Sequence, residues 1–340
     1  MFESIRFGTE LLRLHAGAVW SQILLKKEDD NKPYRGRKTP LQITHSCTWK
    51  CNYACIHCQA QNDNKKTDAS TESVLRMIDQ VSEAGAIKIG FTGGEPLVRN
   101  DMPTIMDCCE ENGLISSMVS NGLLVPRYIE VLKKLDLLFL SMDGDREVQQ
   151  KVRGRKSWDV LLNAMKIGKE NGIPVAALTT LASFNISCLE EMSRVVREQK
   201  VHWMVGLVQV QFSGKNEQNL TREQIERSVD ILEKNEYLRT SRRYLDFIKK
   251  DQPPRFCFAG IGYAIVSPDL VLYPCFPAQF DPFYKGISLE EKSFNEAFNE
   301  LPLYRRTCDT CRLACHIEAN YLNIFNIESI LQSMRLTKLP

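Results

Sequence analysis

A regular alternation of short β-rich runs with helix-length segments, from residue 41 to about residue 236, constrains the fold more than any other feature of this sequence. The β-rich runs predict strands at 41–45, 87–92, 115–120, 137–141, 175–180 and 203–211. The intervening segments predict helices at 70–84, 103–112, 126–134, 158–171, 189–199 and 221–235, the last opening on a Thr221–Gln224 capping box. This alternation is typical of α/β proteins with a parallel sheet. Because the crossovers are right-handed, six units should curl into a partial (β/α)6 barrel of the TIM type, with functional residues on loops after the strands.

The alternation ends near residue 236, and the remainder is rich in Cys, Pro and aromatic residues with poor periodicity. Such a segment is typical of a small domain organised around a metal. We therefore divide the chain into an N-terminal segment (1–40), a barrel (41–236) and a cysteine-rich C-terminal domain (237–340). Within the first segment, residues 7–27 predict an apolar helix that either covers the barrel or makes peripheral contact with a membrane surface.

Charge and cysteine content narrow the classes of function. The 44 basic and 42 acidic residues give a net charge of +2, so nucleic acid is not an expected partner. The sequence has no run of 18 apolar residues and no secretory signal, so we expect a cytoplasmic protein. In a reducing compartment, cysteines bind metals more often than they form disulfides. Of the twelve cysteines, four lie at 47–58 and five at 257–315, which indicates two metal sites.

The first group follows the first predicted strand and reads CTWKCNYACIHC at 47–58. Its last three cysteines, Cys51, Cys55 and Cys58, have the spacing C-x3-C-x2-C, while Cys47 is not expected to be a ligand. Three thiolates on a tight loop can hold an iron–sulfur cubane and leave one iron without a protein ligand. Taken alone, the spacing also allows zinc or a structural cluster.

Later strand ends add to this pattern. Thr92-Gly93-Gly94-Glu95-Pro96 follows the second predicted strand, Ser141-Met142-Asp143-Gly144 ends the fourth, and Arg153 comes ten residues after Asp143. In this order and register, the loops resemble those of the radical S-adenosylmethionine (SAM) superfamily. The resemblance implies that SAM chelates the open iron of a [4Fe-4S] cluster. An electron from the reduced cluster then cleaves SAM to a 5′-deoxyadenosyl radical, which abstracts hydrogen from a substrate.

The resemblance also implies roles for single residues. Glu95 is expected to accept a hydrogen bond from the methionine ammonium of SAM, the Ser141–Asp143 strand end to contact its ribose, and Arg153 to pair with its carboxylate. His57 either lies beside the adenine or is a packed ring. Asn121, after the third strand, either touches SAM or forms a plain turn.

The second group of cysteines comprises Cys257, Cys275, Cys308, Cys311 and Cys315. The stretch between the first two predicts a short hairpin with its turn at 267–270, and zinc is the alternative metal. After such a barrel, the group resembles the SPASM/Twitch domains, which carry auxiliary [4Fe-4S] clusters, and five cysteines fit the Twitch type with one cluster. The resemblance implies ligation by Cys257, Cys275, Cys308 and Cys311, with Cys315 either replacing one of them or facing the substrate. Leu270 replaces the glycine of the family's turn.

The predicted function is that of a radical SAM oxidoreductase-like enzyme, with the auxiliary cluster as electron acceptor or relay and flavodoxin or ferredoxin as reductant. We expect a small-molecule substrate (a sugar, aminocyclitol, tetrapyrrole or lipid-linked compound), because the stretch before Leu41 is too short for a leader-binding domain. Maturation of a ribosomally made peptide by oxidation, cross-linking or epimerisation is the alternative. A non-catalytic metal-binding module is the alternative of another class. No general base is assigned; Thr179, Thr180, Gln209 and Gln211 are polar residues on strands five and six.

Overall fold

The computed structural model describes residues 38, 40–58, 67–209, 218–250, 257–304, 311–314 and 317–318. Several predictions lie outside these residues. They are the N-terminal helix at 7–27 and three individual residues: Gln211, Cys308 and Cys315.

The described residues form one open, nine-stranded sheet with the order β6-β5-β4-β3-β2-β1-β7-β8-β9. Its first six strands are β1 (Gln42–Ser46), β2 (Lys88–Thr92), β3 (Ile115–Ser120), β4 (Leu137–Ser141), β5 (Val175–Leu181) and β6 (His202–Leu207). All six were predicted, although β6 ends at Leu207, so Gln209 lies beyond the strand on which it was expected. Neighbours among the six strands pair in parallel. The predicted α/β class with a partial TIM-like barrel is therefore confirmed, and the sheet does not close.

The helices, apart from short 3-10 turns, are α1 (Thr71–Glu83), α2 (Met102–Glu111), α3 (Ile129–Leu132), α4 (Arg146–Arg153), α5 (Ser157–Glu170), α6 (Leu189–Gln199), α7 (Arg222–Leu232), α8 (Arg242–Lys250), α9 (Phe276–Phe280) and α10 (Phe294–Glu300). The predicted capping box of α7 forms, since Thr221 and Gln224 each bond the other's backbone. The segment predicted as a helix at 126–134 is mostly a 3-10 turn and the four-residue α3. Helix α4 was not predicted, because of its eight residues only Gln149 and Val152 are buried.

The C-terminal segment extends the barrel sheet. Strand β7 (Tyr263–Val266) pairs in parallel with β1, and β8 (Val271–Tyr273) and β9 (Ile287–Ser288) follow it in antiparallel order. The predicted hairpin therefore forms between β7 and β8. Its turn places Leu270 in the left-handed region at φ 55°, with the side chain buried. The division at residue 236 stays a prediction, and the sheet itself runs across it.

Apolar residues of the strands and of the inward faces of the helices form the main core. In α1 the buried side chains are Val74, Met77, Ile78 and Val81, which follow the helical repeat. A second, smaller core contains Phe258, Tyr263, Cys275 and Tyr304 at the C-terminal end of the chain. Among the described residues, no helix is both long and apolar enough to cross a membrane.

Candidate active site

A cavity of about 310 Å³ lies at the carboxyl ends of the parallel strands. Its lining comes from the loops after β1 and β2, from the ends of β5 and β6, and from α9. The sequence-predicted residues that line it are His57, Cys58, Thr92, Gly93, Thr180 and Gln209. The cavity is therefore shared between the barrel and the C-terminal segment, at the position where barrels of this kind carry their chemistry.

The cysteine loop follows β1 directly. Cys51, Cys55 and Cys58 are partly buried, and the Cys58 amide donates to the Cys55 carbonyl at 3.1 Å. Burial raises the pKa of the Cys55 thiol to about 11 and also raises that of Cys51. Cys47 is fully buried, and burial raises the pKa of its thiol to about 12. The buried thiol of Cys47 thus packs in the core, as expected for a cysteine that is not a ligand.

Spacing and donor chemistry test which metal group the loop fits. In the described part of the chain, no three His, Cys, Asp or Glu side chains lie together as ligands of a single metal ion. A zinc ion requires its donors within about 2.3 Å of one point. A cubane is larger, and its thiolates bind separate corners. A set of three thiols on one loop therefore fits an iron–sulfur cluster, for which thiolate is the usual ligand.

The glycine loop after β2 packs directly on the cysteine loop. The Gly94 amide donates to the Thr48 carbonyl at 2.8 Å, and the Glu95 amide donates to the Lys50 carbonyl at 2.9 Å. A Cβ on Gly94 would lie 1.9 Å from the Lys50 carbonyl oxygen, and Gly93 has a φ of 121°. Only glycine permits this approach. The two loops therefore form one backbone cradle, with Gly93 exposed to the cavity.

Glu95 connects this cradle to β3. Its carboxylate is 1% exposed and accepts hydrogen bonds from Ser120 Oγ at 2.9 Å, the Asn121 amide at 2.8 Å and the Leu97 amide at 3.3 Å. Burial raises the pKa of Glu95 even though these bonds oppose the shift. The next residue, Pro96, begins a short 3-10 turn. The expected contact of Glu95 with a SAM ammonium stays a prediction.

Asn121 adds a second connection, because its Nδ2 donates to Asn52 Oδ1 in the cysteine loop at 2.6 Å. Its own Oδ1 accepts a hydrogen bond from the Leu123 amide at 3.0 Å. An Asn side chain that bonds the amide two residues further on is the geometry of an Asx turn. The plain-turn alternative therefore describes what Asn121 does here, and its predicted contact with SAM stays a prediction.

Asp143 and Arg153 form a buried ion pair next to the cysteine loop. Arg153 Nε donates to Asp143 Oδ2 at 2.7 Å, and Arg153 Nη1 lies 3.7 Å from Cys55 Sγ. His57 Nε2 is 3.4 Å from the same carboxylate oxygen, and the Thr180 amide donates to the other at 2.8 Å. Burial alone would raise the pKa of Asp143, but Arg153, His57 and the Thr180 amide hold it below its usual value. Asp143 is therefore a buried carboxylate, and the predicted pairing of Arg153 with a SAM carboxylate stays a prediction.

The contacts around Asp143 also explain the positions of His57 and Ser141. The ring of His57 stacks on Phe184 with centroids 5.5 Å apart while it also lines the cavity, so His57 is both packed and accessible to a ligand. The Ser141 carbonyl accepts from Gln149 Nε2 at 3.1 Å, and Gln149 Oε1 accepts from the Asp143 amide at 2.7 Å. Helix α4, which carries Gln149, therefore holds the end of β4 in place.

Sequence reasoning missed several residues that shape the site. Arg99 is buried and donates to the Cys47 carbonyl at 2.9 Å while it pairs with Asp101, so it holds the base of the cysteine loop. Asp68 accepts from Thr48 Oγ1 at 2.6 Å and from the Trp49 amide at 2.9 Å. Asp68 lies outside the recognised motifs, and no pattern in one sequence marks Arg99 as buried.

Two described cysteines of the second group, Cys257 and Cys275, pack in the small C-terminal core with Tyr263. The Sγ of Cys257 lies 3.0 Å from the Tyr263 hydroxyl. Burial and the neighbouring thiols of Cys257, Cys275 and Cys311 hold the pKa of Tyr263 well above its usual value. A cysteine thiolate is a donor that both an iron–sulfur cluster and zinc accept, so the residue type of this group is compatible with either.

Comparison with known proteins identifies the barrel. Residues 46–196 match the radical SAM superfamily. The Fe-coproporphyrin III synthase of Methanosarcina barkeri is 28% identical over 68% of this chain and 56% of its own length, so the chain spans just over half of that relative. The PqqA peptide cyclase of Gluconobacter oxydans is 23% identical over 78% of each chain.

Solved structures share the fold. Streptococcus suis SuiB bound to S-adenosylmethionine superposes with a TM-score of 0.67 at 18% identity, over 78% of this chain and 67% of SuiB. A structure of SuiB bound to the precursor peptide SuiA gives the same TM-score. The sequence match, the fold and the position of the cysteine loop agree: residues 46–196 form a radical SAM domain.

Proposed function

We propose that this protein is a radical SAM enzyme that modifies a ribosomally made peptide. The first cluster would be held by Cys51, Cys55 and Cys58, and SAM would lie in the cavity beside them. When bound, the cluster and SAM would supply one-electron reduction and hydrogen-atom abstraction from the substrate.

One observation carries this proposal, namely that the cavity joins the cysteine loop, the glycine cradle and the C-terminal segment. His57, Cys58 and Gly93 line one side of it, and Phe276 and Phe280 of α9 line another. Apart from His57 and Cys58, the lining side chains are apolar or carry no ionisable group. Such a lining suits an uncharged reacting group that must be kept from water.

The chain's own residues would bind and orient the ligands. The backbone of the glycine loop would contact SAM, because Gly93 lies on the wall of the cavity. The Arg153 guanidinium places positive charge 3.7 Å from Cys55 Sγ, which favours the thiolate that a cluster requires. Asp143 in turn holds Arg153 and His57 in place.

Relatives favour a peptide over the small molecule expected from the sequence. One sequence relative is named as a peptide cyclase, and SuiB has been solved with a precursor peptide. A porphyrin is the second candidate substrate, because Fe-coproporphyrin III synthase matches at 28% identity. Both readings are compatible with the uncharged cavity.

We further propose that the C-terminal cysteines hold an auxiliary [4Fe-4S] cluster that accepts or relays an electron after hydrogen abstraction. The packing of Cys257 and Cys275 with Tyr263 in one small core supports this assignment. Flavodoxin or ferredoxin would reduce the first cluster.

Iron counting and SAM cleavage test the two metal assignments. After anaerobic reconstitution, the wild type should hold about eight irons per chain and the C51A/C55A/C58A triple variant about four. With dithionite and SAM, only the wild type should release 5′-deoxyadenosine. No cleavage by a fully loaded wild type would support a non-catalytic metal-binding module instead.

The substrate test uses deuterium transfer. Candidate precursor peptides, uniformly deuterated at carbon, should pass deuterium into 5′-deoxyadenosine and lose or exchange hydrogen in their own mass spectrum. A matched reaction uses a deuterated porphyrin. Transfer from the porphyrin and from none of the peptides would overturn the peptide assignment while the radical SAM assignment stands.

A further inference from the structure

A buried tyrosine hydroxyl lies within hydrogen-bonding distance of one of the C-terminal thiols. The Tyr263 hydroxyl is 3.0 Å from Cys257 Sγ, and either group can be the donor while the thiol is protonated. Tyr263 is 5% exposed and packs with Phe258, Ile261 and Cys275 in the small C-terminal core. Water therefore has little access to this hydrogen bond.

The backbone holds the two partners in this arrangement. Between them the chain turns back on itself, because the Phe258 carbonyl accepts from the Ile261 amide at 2.9 Å and from the Gly262 amide at 2.8 Å. The Gly260 amide donates to the Tyr263 carbonyl at 2.8 Å, with Gly260 at φ 74°. The chain between Cys257 and Tyr263 thus forms one compact turn, which brings the Cys257 thiol next to the Tyr263 hydroxyl.

The barrel fixes the position of this tyrosine. Tyr263 is the first residue of β7 and pairs with Gln42 on β1, the strand that leads into the cysteine loop. The tyrosine is consequently anchored to the parallel sheet, next to the strand that leads into the first cysteine loop.

We propose that Tyr263 tunes the reduction potential of the auxiliary cluster by donating a hydrogen bond to the ligating sulfur of Cys257. The inference rests on the proposed second cluster. An iron-bound thiolate has no proton and can only accept, so the phenol must be the donor. Hydrogen bonds to the sulfurs are among the factors that set cluster potentials. Added negative charge strengthens such a bond, so the bond stabilises the reduced cluster and raises its potential.

The test uses the C51A/C55A/C58A triple variant as the parent, because the auxiliary cluster is then the only one present. Tyr263→Phe in this background should lower the midpoint potential, as measured by redox titration with electron paramagnetic resonance. We expect the ratio of oxidised to reduced cluster at a fixed potential to rise about tenfold, which is about 59 mV for one electron. Tyr284→Phe is the matched control, because the Tyr284 hydroxyl donates to the Pro302 carbonyl at 2.5 Å and should leave the potential unchanged.

A second substitution keeps the fold and reverses the sign. Replacement of Tyr263 by 3-fluorotyrosine, whose hydroxyl is more acidic, should strengthen the hydrogen bond and raise the midpoint potential. If Tyr263→Phe fails to hold a cluster, this isosteric replacement decides the question.

The outcomes separate the inference from the proposal on which it rests. A parent triple variant without iron would remove the second cluster and the inference with it. A loaded parent whose potential is unmoved by 3-fluorotyrosine, and by Tyr263→Phe where that variant loads, would overturn the role of Tyr263 and leave the cluster assignment intact.

Discussion

Replacing Gly94 by alanine should disconnect the glycine loop from the cysteine loop. The added Cβ would lie 1.9 Å from the Lys50 carbonyl oxygen, whereas ordinary contacts begin at 3.4 Å. Relief of this overlap requires the two backbones to separate by about 1.5 Å. Such a shift breaks the Gly94–Thr48 and Glu95–Lys50 hydrogen bonds, which costs about 1–3 kcal/mol in total.

The functional cost should exceed the loss of stability. Lys50 is adjacent to Cys51, so the displaced segment carries the first proposed cluster ligand. A misplacement of about 1 Å in a catalytic site can reduce the rate by about 100-fold. We therefore expect Gly94→Ala to lose SAM cleavage by about this factor, measured as 5′-deoxyadenosine formed with dithionite after anaerobic reconstitution, with iron per chain counted in parallel.

Gly90→Ala is the matched control. Gly90 lies on β2, the strand that leads into the glycine loop, and its added Cβ would be 3.5 Å from Ser117 Oγ, an ordinary contact. This variant should retain SAM cleavage within about twofold. Wild-type cleavage by Gly94→Ala, or equal damage in Gly90→Ala, would refute the idea that the cradle depends on contact between the two loops.

Three further predictions concern stability. Asp143→Asn leaves the buried Arg153 without its counter-charge and should lower the free energy of unfolding by about 3–5 kcal/mol. Asp159→Asn, which breaks an exposed ion pair, should lower it by less than about 1 kcal/mol. Similar urea midpoints for the two variants would contradict this prediction. Burial lowers the pKa of His45 from 6.5 to about 4, so the unfolded chain binds the proton first, and stability should fall by up to about 3 kcal/mol as the pH drops from 6.5 to 4. His45→Gln should flatten this pH dependence of the urea midpoint, and an unchanged slope would exclude His45 as its source. Leu270→Gly relieves about 1–2 kcal/mol of backbone strain in the left-handed region, but it removes a buried side chain that contributes about 3–5 kcal/mol to stability. Thermal unfolding should therefore show a net destabilisation of about 2 kcal/mol. A stabilised variant would show that the backbone strain dominates.

The sequence predicted the six barrel strands because each is a short apolar run with turn signals on both sides, a local pattern that survives folding. It also placed the motifs at strand ends, since strand ends in a parallel sheet meet at one edge. It missed α4 because the buried face of that helix contains Gln149, a polar residue. Gln149 is buried only because it bonds the ends of β4, which one sequence does not reveal.

The pairing of side chains within the site was also beyond sequence reasoning. The motif suggested that Glu95 and Arg153 would face SAM, and the structure shows Glu95 bonded to the end of β3 and Arg153 bonded to Asp143. Both contacts join residues on different loops. Their formation depends on how closely buried charges approach each other, which no spacing rule encodes.

What the sequence alone determined is the class of the barrel and the spacing of the cysteines in its first loop, since periodicity and short motifs act over a few residues. Tertiary structure alone decided that β7 would occupy the free edge of β1, more than 200 residues away in the chain. That choice places Tyr263 on the same sheet as the strand that leads into the first cysteine loop. An unpaired strand edge must be satisfied by some partner, and which segment supplies it depends on the packing of the whole chain.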